Sequence, residues 1–283
     1  EIVGKVDPQY ALHGTLSSPR MTPKNFLPKA PSAVDNSTLP CFPSIRSQGS
    51  LGSCAAFAAV YYTMTHNTGK VRGWNNNNTI NTTKFSPKFV YNQINNGEDN
   101  GSWLESAYSV IEKHGCPTWE YFPYHSNNKP AAYREWPVDG AIWQGAIQYR
   151  MDSNFEIAQI DDNATNIEQL KLYLANGWIC NYATYIHDWQ YTTVEDDTSI
   201  SSDDGYVGQK ICYNQKTGRN GGHAMTIVGY NDNIWCDING NDVVDTGEKG
   251  AWRIANSWGT NWENGDDGFC WVAYDAVRHT TLV

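Results

Sequence analysis

Several features that would place a chain in a common class of protein are scarce or missing from this sequence. No apolar run approaches the roughly 20 residues that a membrane-spanning helix needs. Basic residues are few, since 20 Lys and Arg stand against 30 Asp and Glu, for a formal net charge of −10 at pH 7. This acidic balance argues against nucleic acid and against anionic membranes as partners. Hydrophobic residues make up 40% of the 283 positions, enough to form the core of one large domain or two small ones.

Closely spaced cysteine pairs are also missing, which argues against a zinc site. The seven cysteines are dispersed, and when Cys54 is set aside as a reactive thiol an even six remain: Cys41, Cys116, Cys180, Cys212, Cys236 and Cys270. Such a set is typical of disulfide bonds, which form in oxidising compartments. We therefore expect three disulfides and a secreted or otherwise extracytoplasmic protein. Six reduced core thiols in a cytosolic protein are the alternative.

What is present is a glycine-rich segment, residues 47–57 (SQGSLGSCAAF), that leads into an apolar run. The run, residues 55–64, predicts a buried helix. Cys54 at its start would feel the positive end of the helix dipole, which favours the reactive thiolate. The backbone N–H groups of the first turn and the side chain of Gln48 are donors that can stabilise an oxyanion. The alternative is that Cys54 is a buried structural thiol.

This segment resembles the nucleophile motif of papain-like cysteine peptidases, Gln-Gly-x-Cys-Gly-Ser-Cys-Trp-Ala-Phe. Two positions depart from it: Leu51 replaces a structural cysteine, and Ala55 replaces the tryptophan after the nucleophile. Neither departure removes a catalytic group.

Two further motifs resemble the same family and follow in its order. His223 begins the apolar run HAMTIVGY, similar to His-Ala-x-x-x-x-Gly-Tyr, and Asn256 begins NSWGTNW, similar to Asn-Ser-Trp-Gly-x-x-Trp. The resemblance implies that His223 moves protons to and from the Cys54 thiol and that Asn256 orients the His223 ring. It also implies that Gln48 is an oxyanion donor and that Trp258 shields the bond between His223 and Asn256 from water.

The resemblance implies an α+β fold of two lobes with the active-site cleft between them. Residues 31–125 are expected to form a mainly helical lobe, and residues 160–283 a mainly β lobe resembling an antiparallel β-barrel. Residues 1–30 contain Pro and Gly without any periodicity, and we expect an extended arm. This arm would be a strap along the domain or a short pro-segment that covers the cleft.

A glycine-rich loop at residues 97–103 resembles the substrate-backbone segment of the family. The resemblance implies that Gly101 pairs with an extended peptide, and that Ser102 and Trp103 help to form the wall of the main specificity pocket. The alternative is a plain loop between two helices, because Gly and Asn are common in any loop.

The expected fold also suggests disulfide partners, although the sequence cannot fix their connectivity. Cys41–Cys116 would join the two sides of the helical lobe, Cys180–Cys212 would tie down a long polar connection, and Cys236–Cys270 would link neighbours in the β lobe. That connection, residues 188–220, carries the acidic clusters 195–197 and 203–204. It is either a lid over the cleft or solvated surface.

An additional site is predicted between His223 and Asn256, whose separation of 256 − 223 = 33 residues is wide for the family. The excess falls in residues 237–248, which resemble an EF-hand calcium loop with ligands at Asp237, Asn239, Asn241, the Val243 carbonyl, Asp245 and Glu248. Asp242 stands where glycine is usual. Because the flanks look like strands, we expect a hairpin held by calcium, a structural staple rather than a sensor. An acidic hairpin without metal is the alternative.

Together the motifs predict a cysteine peptidase that cleaves polypeptides, acts as an endopeptidase, is monomeric and needs no cofactor for catalysis. Two other classes of function stay open. The same Cys and His could serve a transferase or deamidase, or the fold could be a non-catalytic binding module.

Overall fold

The computed structural model describes residues 29–151, 158–160, 164–215, 221–277 and 280–282. Apart from its last two residues, the predicted arm 1–30 lies outside the described residues. Among those residues no helix is both long enough and apolar enough to cross a membrane.

A buried central helix, residues 54–72, begins at the predicted nucleophile. It consists of α1 (Cys54–Ala56), a π-helical segment (Phe57–Met64) and α2 (Thr65–Arg72). Every residue of the first two segments is buried, which agrees with their apolar sequence. The π-helical hydrogen bonding is seen at Thr65, whose backbone N donates to the carbonyl of Val60, five residues earlier. The helix ends at Gly73, whose φ of 68° is the left-handed conformation that glycine readily adopts.

The other described helices are shorter than the central one. In chain order they are α3 (Pro87–Ile94), α4 (Leu104–His114), α5 (Lys129–Arg134), α6 (Gly140–Ile147) and α7 (Ala164–Ala175). The start of α3 is the one the sequence predicts, since Ser86 Oγ accepts from Phe89 N and Pro87 occupies the first turn.

One sheet joins all nine described strands. They are β1 (Ala33–Asp35), β2 (Ala158–Ile160), β3 (Cys180–Tyr185), β4 (Trp189–Thr193), β5 (Lys210–Gln215), β6 (Gly222–Trp235), β7 (Lys249–Ala255), β8 (Phe269–Ala273) and β9 (Thr280–Leu282). The order is β2-β9-β3-β6-β7-β8-β5-β4, with β1 paired to β6. The strand pairs are antiparallel, as expected, except that β5 and β8 run parallel. The helices and this sheet together form an α+β fold.

Buried Asn181 on β3 joins the central helix to the sheet. Its amide group donates to the Ala58 carbonyl and to the hydroxyls of Thr63 and Thr226, while its carbonyl accepts from Tyr108 OH. An amide buried in an apolar interface is costly unless it is hydrogen-bonded. The contact therefore fixes the position of the helix that begins at Cys54 against β6, the strand that begins at Gly222.

None of the three predicted disulfides is present, and the six cysteines predicted to form them are all unbridged thiols. Cys41 Sγ lies 3.6 Å from His66 Nδ1, whereas the Cys116 thiol donates to the Ser86 carbonyl at 3.3 Å. These two thiols thus have separate partners, and the pairing of Cys41 with Cys116 is wrong.

The two pairings predicted in the β lobe fail because of strand order. Cys180 lies on β3 and Cys212 on β5, with three strands between them in the sheet. Cys236 follows β6 and Cys270 lies on β8, with β7 between. Strands two steps apart in a sheet are separated by about 9 Å or more, beyond the reach of a disulfide. The sequence gives strand identity more readily than it gives strand order.

Candidate active site

Cys54 is the first residue of α1 and is fully buried. The hydroxyl of the preceding residue, Ser53, lies 2.7 Å from Tyr124 OH, and Tyr124 OH donates to the Gln48 carbonyl at 2.6 Å. These bonds hold the loop that precedes the helix. The thiol therefore lies at a helix N-terminus on a fixed backbone, in the arrangement that the sequence predicts.

Gln48 connects this loop to the segment that follows Asn256. Its Nε2 donates to the Leu51 carbonyl at 2.8 Å, and its Oε1 accepts from Ser257 Oγ at 2.6 Å. Its backbone N–H also donates to the Ser257 carbonyl at 2.8 Å. Because residues 48 and 257 belong to opposite ends of the chain, these bonds bring the two halves of the candidate site together.

His223 and Asn256 lie on neighbouring strands. His223 is the second residue of β6, and Asn256 directly follows β7, which pairs antiparallel with β6. His223 Nε2 lies 2.7 Å from Asn256 Oδ1, which also accepts from Ser257 N. Only the oxygen of the Asn256 amide can accept the Ser257 N–H, which fixes the orientation of that amide group. Because the same oxygen faces His223, the His223 Nε2 carries the proton of this bond. The other ring nitrogen, Nδ1, is buried and has no hydrogen-bond partner within the described residues.

The Trp258 indole covers the His223 ring. The two ring centroids are 4.5 Å apart with an interplanar angle of 28°, and Trp262 packs edge-on against Trp258 at 5.7 Å. The His223 ring and Asn256 are themselves fully buried, and a hydrogen bond in such low-dielectric surroundings is stronger than one in water.

Burial lowers the pKa of His223 from 6.5 to about 4, with a further lowering from His187 and an opposing effect of the bond to Asn256. This lowering favours the neutral imidazole, which can accept a proton at Nδ1. His187 was not singled out in the sequence. A Cβ added at Gly221 would lie only 2.6 Å from Cγ of the His187 ring. The glycine at position 221 is therefore the one feature of the sequence that indicates a close neighbour here.

The loop that contains Gly101 packs directly against the nucleophile loop. A Cβ on Gly52 would lie 2.9 Å from Gly101 N, so the two backbones touch. The Asp99 carboxylate joins the two loops, because its Oδ1 accepts from Gly52 N at 2.8 Å and from Tyr91 OH. Its Oδ2 forms an ion pair with Lys129 at 2.6 Å. Sequence reasoning missed Asp99, although it lies in the same glycine-rich loop.

The remaining predicted substrate residues lie in the same region. Ser102 is buried, and Trp103 is half-buried immediately before α4. Gly101 has a φ of 87°, a conformation that favours glycine. The structure thus brings the predicted substrate loop next to the loop that precedes Cys54.

The predicted calcium loop lies at the other end of β6 from His223. Asp237 accepts from the backbone N–H groups of Gly240, Asn241 and Asp242, and these bonds lower the pKa of its carboxyl group, that of Asp242 most. The Asn239 and Asn241 amide groups both donate to Asp245 Oδ2.

The second half of this loop is closed by Glu248, which is buried. Its two carboxylate oxygens accept from Ile238 N and Asp245 N. Asp242 has a φ of 57°, so the turn usually made by glycine is made here by an aspartate in the left-handed conformation. Val243, whose carbonyl is the predicted seventh-position ligand, is exposed.

Comparison with known proteins gives the same answer from sequence and from fold. A family model described as papain family cysteine protease matches residues 30–281. The chain is 27% identical over 253 residues to an uncharacterized peptidase C1-like protein of Acanthamoeba polyphaga mimivirus, covering 87% of this chain and 69% of that protein. It is 25% identical over 231 residues to cathepsin B-like CP2 of Giardia intestinalis, covering 81% of this chain and 63% of that protein.

Solved structures of cysteine proteases share the fold. Xylellain from Xylella fastidiosa superposes with a TM-score of 0.60 at 20% identity, covering 95% of this chain and 91% of that one. Bromelain from Ananas comosus superposes with a TM-score of 0.54 at 18% identity, covering 89% of this chain and 97% of that one. Since the family model spans nearly all of the described residues, the chain belongs to the papain family of cysteine proteases.

Proposed function

We propose that the protein cleaves internal peptide bonds with Cys54, His223, Asn256 and Gln48 as its catalytic residues. As a member of the papain family it is a cysteine peptidase, a hydrolase that acts on polypeptides. The observation that carries the residue assignment is the 2.7 Å bond between His223 Nε2 and Asn256 Oδ1. This bond commits one ring nitrogen and leaves Nδ1 for the thiol.

The proposed reaction has two halves. The Cys54 thiol gives its proton to His223 Nδ1, and the thiolate attacks the carbonyl carbon of the substrate. The N–H of Cys54 and the side-chain amide of Gln48 hold the resulting oxyanion. The imidazolium protonates the amine as the C–N bond breaks, which leaves a thioester. His223 then takes a proton from water, whose oxygen attacks the thioester, and the Cys54 thiol is regenerated as the acid leaves.

The same proposal assigns substrate binding to Gly101, Ser102, Trp103 and Trp258. The half-buried Gly101 would offer its backbone to an extended peptide, and its contact with Gly52 supports a position beside the nucleophile. Trp103 would wall the main pocket. Trp258 would shield the His223 ring, with which it stacks.

The test is cleavage of an unfolded protein under reducing conditions by the wild type and by Cys54→Ala. We expect internal fragments from the wild type and a loss of at least about 1,000-fold in rate for Cys54→Ala. Cys180→Ala, which removes a thiol from β3, is the matched control and should retain activity. A fully active Cys54→Ala variant, or a wild type that releases only terminal residues, would contradict the proposal.

Two alternatives are separated by the same experiment. A transferase or deamidase would modify side chains without releasing new amino termini. A binding module would retain the substrate uncleaved. The neutral His223 held by Asn256 favours chemistry over binding alone, because a module without catalysis has no need of an oriented imidazole.

We also propose two lobes with approximate bounds 31–125 and 160–283, a monomeric state and an extracytoplasmic location. Light scattering tests the monomeric state, which the observation of a dimer would contradict. Removal of residues 1–30 distinguishes a strap from a pro-segment, since loss of a pro-segment raises activity whereas loss of a strap lowers only stability.

We propose, in addition, that residues 237–248 bind calcium through Asp237, Asn239, Asn241, the Val243 carbonyl, Asp245 and Glu248. Two features support this proposal. Asp242 makes a left-handed turn, and the amide groups of Asn239 and Asn241 both donate to Asp245 Oδ2, so that three of the predicted ligands lie close together. Its position between β6 and β7 supports a structural role.

Chelation tests this calcium loop. EDTA should lower the melting temperature and added calcium should restore it, because a cation that binds only the folded state stabilises that state. Glu248→Gln should weaken calcium binding, whereas Glu263→Gln, at an exposed acid in another loop, should not. Equal calcium affinity in Glu248→Gln and the wild type would contradict the assignment.

A further inference from the structure

A second group of carboxylates lies in the connection between β4 and β5. Asp196, Asp203 and Asp204 each offer one carboxylate oxygen, and these three oxygens all lie within 4.8 Å of one another. Asp196 and Asp204 are exposed, whereas Asp203 is completely buried. The set is separate in sequence from the loop 237–248 and from the active site.

The buried member of this group has an unmet hydrogen-bonding requirement. Asp203 Oδ2 accepts from Asp197 N at 3.0 Å, but Asp203 Oδ1 has no hydrogen-bond partner within the described residues. Burial of a carboxylate oxygen without a partner is costly. Since this carboxylate lies beside two others, a bound cation would both satisfy the oxygen and offset the charge of the group.

The neighbouring lysine does not supply that charge. Lys249 Nζ is bonded to Asp197 Oδ2 at 2.7 Å, outside the group of three. In the part of the chain that the structure describes, none of the three carboxylates forms an ion pair with Lys, Arg or His. Three like charges at this separation repel one another unless a cation lies among them.

We propose that Asp196, Asp203 and Asp204 bind a divalent cation of the size of calcium. Carboxylate oxygens are hard ligands that calcium holds at about 2.3–2.6 Å, so two ligands on opposite sides of the ion are at most about 5 Å apart. Magnesium gives up its bound water reluctantly and usually keeps several water ligands, so a group of three protein carboxylates favours calcium over magnesium. An open depression lined by Asp196 and Asp204 is also lined by Thr198, Ser199 and Ser201, whose hydroxyl groups offer further oxygen ligands.

The site would fasten the connection to the sheet rather than take part in catalysis. Glu195 N donates to the Trp235 carbonyl at 3.0 Å, and Asn233 Nδ2 donates to Ser202 Oγ at 2.9 Å. Trp235 ends β6, whereas His223 lies at the start of that strand, twelve residues away, which for a fully extended strand is at most about 40 Å. A cation here stabilises the end of the sheet that is remote from His223.

The experiment uses the full chain with the loop 237–248 disabled by Asp237→Asn, Asp245→Asn and Glu248→Gln. Metal-free protein is titrated with calcium chloride in a calorimeter. We expect one calcium ion per chain, and we expect Asp196→Asn with Asp204→Asn in the same background to weaken binding at least tenfold. Glu263→Gln in that background is the matched control and should leave the affinity unchanged. No binding in the disabled background, or binding unaffected by the Asp196 and Asp204 changes, overturns the proposal.

Two further measurements guard against misfolding and test the choice of ion. Asp196→Asn with Asp204→Asn in the otherwise unchanged chain should lower the calcium stoichiometry by one, while kcat/KM stays within twofold of the wild type because both side chains are exposed and remote from His223. Magnesium chloride should bind at least tenfold more weakly than calcium. Unchanged stoichiometry, or equal affinity for the two ions, contradicts a calcium-sized site.

Discussion

His66 is a second buried histidine, and its environment requires the neutral ring. Nε2 lies 2.8 Å from the Gly177 carbonyl and therefore carries the proton, which leaves Nδ1 to accept from the Cys41 thiol at 3.6 Å. Burial raises the pKa of the Cys41 thiol and lowers the pKa of His66 from 6.5 to about 4. The contact is thus a neutral pair, unlike the ion pair proposed to form during catalysis at Cys54.

This neutral pair predicts loss of stability in acid. Between pH 6.5 and 4 the unfolded chain binds a proton at His66 that the folded chain does not bind. The free energy of unfolding therefore falls as pH falls through this window, by about 3 kcal/mol for the full pKa shift. His66→Gln, which can still donate to the Gly177 carbonyl, should lose less stability than the parent between pH 7 and pH 4.5.

Urea unfolding in a Cys54→Ala background, which prevents self-digestion, measures this difference. His114→Gln is the matched control because His114 is exposed. His223 has the same sign of shift, so some pH dependence should remain in His66→Gln. An undiminished pH dependence in His66→Gln would show that the ring is not the source.

At the residue scale, the sequence motifs identify the chemical groups but not their supports. The proposed catalytic residues Cys54, His223 and Asn256 were predicted from short motifs, because each proposed role needs a particular side chain. The bond between Gln48 and Ser257 joins residues 209 positions apart, and no local pattern encodes it. Asp99 was missed for the same reason, since its importance depends on the packing of one loop against another.

The nucleophile loop and the substrate loop are two elements joined mainly through Asp99. Asp99→Ala should leave Gly52 N and Tyr91 OH without their acceptor and allow the two backbones to separate. Because a displacement of about 1 Å can cost on the order of 100-fold in rate, we expect kcat/KM to fall 10- to 100-fold. Tyr91→Phe removes one of the bonds and keeps the bond to Gly52, so its effect should be smaller.

Hydrolysis of a fluorogenic peptide, normalised to the concentration of titrated active sites, measures this effect. Melting temperatures of both variants separate lost positioning from lost fold. If Asp99→Ala retains the parent kcat/KM, the tie between the two loops has no functional role.

The hairpin between β6 and β7 contains a strained turn that can be relieved. A non-glycine residue in the left-handed conformation costs on the order of 1–3 kcal/mol of stability. Replacement by glycine removes this cost but loses about 0.4–1 kcal/mol, because glycine gives the unfolded chain more conformational freedom. Asp242→Gly should therefore stabilise the protein by about 1 kcal/mol. The N–H of residue 242 can still donate to Asp237 in this variant.

The comparison is made by urea unfolding in EDTA. Gly240→Ala is the opposite control: Gly240 has a φ of 75° and nothing within 4 Å of an added Cβ, so the change introduces backbone strain without a clash. It should destabilise the protein. Destabilisation by Asp242→Gly would mean that the aspartate side chain, rather than the turn, determines the stability of the loop.

At the element scale, periodicity predicts which segments are helices and strands better than it predicts their internal geometry. The apolar run after Cys54 is helical as expected. Its π-helical hydrogen bonding is not encoded by that run, because the pattern of buried residues is compatible with either i+4 or i+5 bonding until the sheet packs against it.

At the scale of the whole molecule, the free thiols distinguish the structure from the disulfide framework that the cysteine count suggests. Alkylation of the unfolded, unreduced protein followed by mass spectrometry should find seven modified cysteines. The same protein reduced first is the control and should give the same mass. A single modified cysteine before reduction would mean that three disulfides form and that the thiol contacts described above do not.

The sheet order explains why whole-molecule features were harder to predict. Residues 33–35 precede the helices yet pair with β6, and β5 lies parallel to β8 although 53 residues separate Gln215 from the start of β8 at Phe269. Such pairings depend on the path of the entire chain. The family resemblance supplies the fold, whereas composition and cysteine spacing alone lead to disulfides that the strand order forbids.

The stack of Trp258 on His223 has a consequence for spectroscopy. The indole ring current shifts the resonances of protons held close above its face, and at a centroid distance of 4.5 Å the His223 ring protons lie in that region. Their proton NMR signals should stand apart from those of the other six histidines. The charge state of His223 can then be followed directly in the resting protein, without substrate, inhibitor or label.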